Sequence, residues 1–379
     1  MRELPPLAAL LARAVRAWIG TEPGDAPVMD DGLGPLADYT QRHGLLALPA
    51  DMLRRAGVPS GHPVQGEIAA RRRLGAALML RQAADLADAS DSLQRAGIRF
   101  VVVKGQPLSA WLYGDIAFRH CLDIDLLVAK ADRDRAAQVL ERMGYVGRVP
   151  TRTAVVVYAG AGCWPMRHDR RAPVDVHWRT WGARFPCVLP ANTVLAGART
   201  MPVGTAQVPV PKPEHATAIV LTHAAKHVWY SLESILSIAM LVRRSDIDWA
   251  EVYHVVANGR VELAAAAGIR LVHDVLGLGV PSPFADLVGS ARSAEVARHG
   301  RDALALPPGV FPDGEAESRA YLSWLASGRD RLRYRLLRVA EPTYAEWATV
   351  RLPLPLAPLY VPIRLTRLVL RQAAPTRRS

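Results

Sequence analysis

The sequence predicts a chain of mixed class, with a small sheet set between two helical regions: an α+β or α/β unit over about residues 90–180. Three observations carry this. Segments before residue 96 and after residue 213 repeat apolar residues at i, i+3 and i+4, the period of an amphipathic helix. Between them the pattern switches to short β-branched runs bounded by glycines. The 379 residues also exceed the roughly 250–300 at which single cores stop growing, so two domains, or one with a helical appendage, are expected.

Residues 1–20 and 35–57 read as amphipathic helices separated by a Gly/Pro/Asp loop, and Val64 to Ala96 as a longer helix stopped by Gly97. "IRFVVVK" (Ile98 to Lys104) reads as a buried strand, "PLSAWLYG" as a short helix and "DIDLLVA" as a second strand. "KADRDRAAQVLERMG" reads as a helix ended by Gly144. "TAVVVYA" and "APVDVHW" read as two further strands, with a turn-rich stretch around "HDRRAP" between them. The stretch from Cys187 to Pro213 reads as a connection with one short strand pair, and helices follow: "PEHATAIVLTHAAKHVWY", "LESILSIAMLVRR", "WAEVYHVVANG" and "VELAAAAGIRLVHDVLGLG". Two more helical pieces, a proline-rich segment and a basic end close the chain. The expected regions are an N-terminal helical region over 1–90, a sheet-bearing core over 91–212 and a C-terminal helical domain with a basic tail over 213–379.

Half the residues are hydrophobic and 22% are charged, a globular composition. The net charge of +12 favours anionic partners such as nucleotides, nucleic acid or acidic lipid, although the excess of Arg over Lys fits high-GC codon usage equally. Three widely spaced cysteines, Cys121, Cys163 and Cys187, suggest neither a disulfide framework nor a zinc knuckle, and a reducing cytoplasm is expected. Arg13 and Arg16 interrupt the N-terminal apolar run, which therefore reads as a helix stripe and not a signal peptide. No integral membrane segment is expected.

The chemistry concentrates in "HCLDIDLLVAK". Successive side chains of a strand point to opposite faces, so Asp123 and Asp125 share one face, and Leu122, Ile124 and Leu126 the face that anchors the sheet. The same alternation puts Asp175 and His177 together in "PVDVHW". If the two strands are neighbours, three carboxylates meet; such a set can hold two Mg²⁺ ions, which align an attacking hydroxyl with a nucleotide phosphate and stabilise the leaving pyrophosphate. A bare D-x-D is also a common solvated turn, and that bland reading is the competitor.

The stretch "GIRFVVVKGQPLSAWLYGDIAFRHCLDIDLLVAKADRDRAAQVLERMGYV" resembles the nucleotidyltransferase-like family of largely uncharacterised bacterial proteins within the DNA polymerase β-like nucleotidyltransferase superfamily. The shared features are the "KG" after the first strand, an Arg four residues before D-I-D-L-L-V, a "GY" after the next helix, and the later "DVHW". The resemblance runs over residues 35–280, through "RHGLLALP" and "LTHAAKHVWYSLESILSIAMLVRRSDIDWAEV". It implies an α+β fold with a small mixed β-sheet nucleotidyltransferase core, N-terminal helices and a C-terminal helical region. It also implies that Asp123, Asp125 and Asp175 are catalytic metal ligands, with Asp175 acting on the acceptor as ligand or general base. Gly105 would let the backbone approach the triphosphate at a helix N-terminus, and Lys104 and Arg119 are candidate phosphate contacts. Ser109 and His177 complete that nucleotide-binding set. The superfamily's usual Gly-Ser turn is Gly105-Gln106 here, and the Asp common in relatives within the "LESILSIA" helix is Ser237.

His223 and His227 stand i, i+4, a zinc-ligand spacing, but no H-E-x-x-H accompanies them; His223 and Lys226 are candidate nucleotide or acceptor contacts, with plain packing as the alternative. Cys121 could be a nucleophile or an inert buried thiol, and Trp111, Tyr113, Trp164 and Trp178 could stack a base or fill core. Arg364, Arg367 and Arg371 recur opposite Leu365, Leu368 and Val369, so the C-terminal helix either packs on the body by its apolar side or contacts membrane or nucleic acid as a peripheral surface. The function expected is Mg²⁺-dependent (Mn²⁺ the alternative ion) nucleotidyl or phosphoryl transfer from ATP or another NTP to an unidentified acceptor: a peptide natural product, saccharide, protein or RNA. The alternative is a non-catalytic module of this fold that binds nucleotide, nucleic acid or a partner.

Overall fold

The computed structural model describes residues 3–22, 24–29, 31–149, 153, 156–186 and 189–373. Cys187, the tail from residue 374 and the Arg371 side chain lie outside them. The N-terminal part contributes α1 (Pro6–Ile19), α2 (Leu36–Arg42), α3 (Ala50–Arg55) and the long α4 (Pro63–Arg95). The expected helix over 35–57 is two, because the chain turns through Gly44 at φ 70°. The central part holds β1 (Phe100–Val102), α5 (Gln106–Tyr113), β2 (Ile124–Val128), α6 (Arg133–Arg142), β3 (Val146–Gly147), β4 (Cys163–Arg167) and β5 (Val174–His177). After α7 (Ala191–Ala196) a hairpin of β6 (Arg199–Val203) and β7 (Ala206–Val210) turns through Gly204. The helices α8 (Pro213–Lys226), α9 (Leu232–Val242), α10 (Trp249–Asn258), α11 (Glu262–Leu276), α12 (Ala285–Gly289), α13 (Ala291–Leu304), α14 (Gly314–Trp324), α15 (Gly328–Ala340), α16 (Tyr344–Thr349) and α17 (Tyr360–Ala373) follow.

The five-stranded sheet has the order β1-β2-β5-β4-β3. β1 and β2 are antiparallel, β2 and β5 parallel, and β5, β4 and β3 successively antiparallel. It is therefore a mixed sheet, and the fold is α+β. One face of its strands joins α4 and α6 in a core that includes Leu86, Leu93, Ile124, Leu126, Leu140 and Trp164. The helices before residue 60 share a separate core with those after residue 213, where Trp229 and Trp324 are fully buried.

Three readings of the sequence are corrected. Within "TAVVVYA", Thr153, Val156 and Val157 are helical and not strand; the β-branched run packs Val157 into the core from a helix turn. The strand preceding "APVDVHW" is instead β4, "CWPMR". Leu122 does not anchor the sheet: β2 begins at Ile124, so Leu122 falls in the bend before it and is 88% exposed.

Candidate active site

Two strand ends build the site. The parallel register sets Asp125 of β2 opposite Asp175 of β5, and Leu127 opposite His177. Alternation sends Val174 and Val176 into the core and leaves Asp175 and His177 half-buried on the other face. Asp123 lies two residues upstream of Asp125.

Asp125 is 5% exposed, and both its oxygens are engaged: Oδ1 lies 2.8 Å from His177 Nε2 and Oδ2 lies 3.0 Å from Lys104 Nζ. Burial alone would favour the neutral acid, but the Lys104 ammonium and the His177 hydrogen bond hold its carboxyl well below the usual range. The same contact works on Lys104: burial penalises the ammonium, and Asp125 more than restores it. His177 stands between Asp125 and Cys163; burial favours its neutral ring, yet Cys163 and Asp125 push it up to about 10. Asp123 makes no ion pair among the described residues, and burial together with Asp125 and Asp175 pushes its carboxyl up to about 6. Loss of solvent and the two neighbouring carboxylates together disfavour its charged form.

Asp175 accepts from Arg167 Nη1 at 3.3 Å and from the Cys163 thiol at 3.5 Å. Cys163, Asp175 and His177 offer ligand atoms within 4.8 Å of one another, a sulfur, oxygen and nitrogen set that suits a softer cation than the three carboxylates do. Neither Cys163 nor Arg167 carries a signal in the sequence reading. Once β4 is recognised, alternation supplies one: Cys163, Pro165 and Arg167 share the face of Asp175 and His177, with Cys163 opposite His177 and Pro165 opposite Asp175.

The turn after β1 borders the acids through Lys104. Gly105 has φ 78° and ψ −144°, a conformation that L side chains rarely adopt, and nothing lies within 4 Å of where a Cβ would stand. Gln106 turns away: it is 1% exposed and donates to Gln82 Oε1 of α4 at 2.5 Å. Ser109 is fully buried and its hydroxyl donates to the Asp115 carbonyl and accepts from the Arg119 amide, so it faces the backbone and not the acids. Arg119 lies one shell away, its Nε 2.5 Å from Glu233 Oε1 on α9, with Nη1 buried and unpartnered. Glu233 also accepts from Ser237, and Ser237 meets the Tyr113 hydroxyl at 2.9 Å.

From the other side α8 brings His223, whose Nε2 lies 3.5 Å from Lys104 Nζ. Burial and the Lys104 charge hold His223 well below its ordinary range, so its neutral ring accepts from the ammonium. The His223 and His227 rings meet edge-on, 4.6 Å between centroids, and Lys226 is exposed at the end of the helix. Val228 and Trp229 then take positive φ, 55° and 48°, a strain of roughly 1–3 kcal/mol each that redirects the chain so that α9 can present Glu233. Cys121 is a thiol that burial pushes up to about 11. Trp164 and Trp178 are core residues, and Trp111 carries the guanidinium groups of Arg199 and Arg244 on its ring.

The sequence-derived residues Lys104, Gly105, Asp123, Asp125, Asp175, His177 and His223 therefore converge, while Ser109 and Arg119 support the turn behind them. No described helix is long and apolar enough to cross a membrane. No curated protein matches the chain. A family model described as uncharacterised nucleotidyltransferase matches residues 33–277, which span α2 to α11 and every strand, and the chain belongs to that family.

Proposed function

We propose that the protein is a Mg²⁺-dependent transferase that moves a nucleotidyl group from a nucleoside triphosphate, ATP first among them, to a hydroxyl, amine or phosphate of an acceptor. Family membership supports the nucleotidyl-transfer class. The observation that carries the finer reading is the β2–β5 register, which sets Asp125 beside Asp175 with Asp123 just upstream. Three carboxylates are an oxygen-only donor set of the kind Mg²⁺ prefers, and Asp123, whose carboxyl is pushed up to about 6 by burial first and then by Asp125 and Asp175, is an acid that a dication would hold ionised. Asp123 and Asp175 have the chemistry to hold the ion, and Asp125 joins them when it gives up His177 or Lys104, which engage both its oxygens.

Bound there, Mg²⁺ would supply charge stabilisation for an in-line displacement at the α-phosphorus. The remaining work falls to the protein. Lys104, fixed between Asp125 and His223, directs its ammonium to a triphosphate oxygen, and the open backbone of Gly105 permits close approach of the phosphates. His177 orients Asp125 by the 2.8 Å contact. Asp175, more accessible than Asp125, takes the proton from the acceptor as its oxygen or nitrogen bonds to the α-phosphorus, and the bond to the pyrophosphate oxygen breaks.

Purified protein incubated with α-labelled ATP, Mg²⁺ and cell extract should label an acceptor, whereas γ-labelled ATP should not. Transfer of the γ label alone would make it a phosphoryl transferase, and undiminished transfer by Asp125→Ala would sink the site assignment. ATP bound equally with Mg²⁺ or EDTA would favour the non-catalytic module.

A further inference from the structure

Helix α17 sits the opposite way from the apolar-side packing that its pattern suggests. Arg364 is 8% exposed; its guanidinium donates to the carbonyls of Val339 and Arg338 at 2.9 and 2.8 Å and pairs with Glu346. Arg367 Nε donates to the same Glu346 at 2.7 Å, and Glu346 is fully buried. The charged side of the helix thus holds it to α15 and α16, with Tyr360 buried at its start. Leu365, Val369 and Leu370 are left 42%, 64% and 63% exposed.

The neighbouring elements do the same. Leu332, Leu336 and Val339 stand at i, i+4 and i+7 on α15 and are exposed, as are Leu354, Leu356 and Leu359 in the proline-rich turn that leads into α17. Eleven of the nineteen exposed large hydrophobic side chains among the described residues fall between Leu332 and Leu370. Apolar exposure concentrated in this way marks an interaction surface.

The charge around it has one sign. Asp330, Glu341 and Glu346 are each taken up by an arginine: Arg260, Arg184, and the pair Arg364 and Arg367. Arg329, Arg333, Arg335 and Arg351 are exposed and make no ion pair among the described residues. Aliphatic side chains set among arginines suit the boundary between anionic headgroups and acyl chains. A second copy on this face would bring arginine against arginine with no acid to pair, and single-stranded nucleic acid would call for aromatic stacking platforms, whereas the exposed apolar residues here are mostly Leu and Val.

We propose that the face formed by α15, the proline-rich turn and α17 docks the protein on an anionic lipid bilayer as a peripheral, non-spanning contact. Flotation of the full chain with phosphatidylcholine vesicles, with and without phosphatidylglycerol, tests this apart from any transfer activity. Binding is expected to the phosphatidylglycerol vesicles, to weaken with salt, and to fall roughly tenfold in the Leu365→Glu/Val369→Glu variant, whose sites are exposed and leave the fold intact by circular dichroism. Arg329→Glu/Arg335→Glu should lower binding by a similar factor and provides the check if the first variant misfolds. Absence of flotation with anionic vesicles overturns the proposal, as does binding unchanged by either variant. So does a dimer in solution that Leu365→Glu/Val369→Glu converts to monomer, or binding of RNA in preference to vesicles.

Discussion

Replacing Glu233 by Gln tests the support behind the candidate site. Arg119 and Glu233 have side chains only 15% and 14% exposed, with Nε–Oε1 at 2.5 Å and Nη2–Oε2 at 3.4 Å. Burial opposes the Arg119 charge, and Glu233 reverses that, raising its pKa above the ordinary value. At an effective dielectric near 20, two charges about 4 Å apart attract by roughly 4 kcal/mol. Removing one partner of such a buried pair costs about 3–5 kcal/mol, because the other charge stays buried. The loss should sit at the upper part of that range here, since Nη1 of Arg119 already lacks a partner and the new amide NH2 would face Arg119 Nη2 where Oε2 now accepts at 3.4 Å. Urea unfolding followed by tryptophan fluorescence reads the change, and Arg119→Met/Glu233→Met should recover most of it, because no lone charge remains. A loss below about 1 kcal/mol in Glu233→Gln, or a double variant worse than the single, would show that this pair does not support the site.

Other consequences are equally open to measurement. His43 is fully buried, and burial with the neighbouring Arg42 pushes it down to about 3, below its unfolded value of 6.5. A depressed folded value means that stability present above pH 6.5 is lost as pH falls towards 3, by about 1.4 kcal/mol per unit; His43→Leu should flatten the urea-midpoint profile by one proton over that window. In Gly105→Ala nothing obstructs the new methyl, so the backbone strain at φ 78° and ψ −144° sets the cost: about 1–3 kcal/mol, with nucleotide affinity lowered as the turn relaxes. A Cβ at Gly268 would lie 2.8 Å from Trp229 Nε1 and 3.1 Å from Ile238 Cδ1, so Gly268→Ala should destabilise by about 1–3 kcal/mol despite its better helix propensity, which a thermal melt would show.

The acids of β2 and β5 were legible because strand alternation depends on local pattern alone; their meeting was not, because pairing is a long-range event that the two local patterns only permit. β4 was hidden by Pro165 and by the turn residues after it, although Trp164 and Met166 alternate inward as a half-buried strand requires. Among the described residues of that run, Val156 and Val157 mislead in the other direction, as β-branched residues drawn into a helix turn by the burial of Val157 and Tyr158. Leu122 obeys the alternation of a strand that does not yet exist at its position. Ser109 and Arg119 lie close to the acids in sequence, yet their directions are fixed by backbone turns and by Glu233, more than a hundred residues away. For α17, periodicity reveals two faces but not which is covered, and the choice was made by Glu346 buried beneath Arg364 and Arg367.

Calorimetric titration of ATP into the protein with Mg²⁺ and with EDTA, repeated for Asp123→Asn, Asp125→Asn and Asp175→Asn, tests most directly whether the strand pairing builds one metal-nucleotide site. Binding is expected to require Mg²⁺ and to weaken at least about tenfold in each variant, since each removes one oxygen ligand's charge. Binding of equal strength in EDTA, or variants that bind MgATP like the wild type, would contradict that expectation.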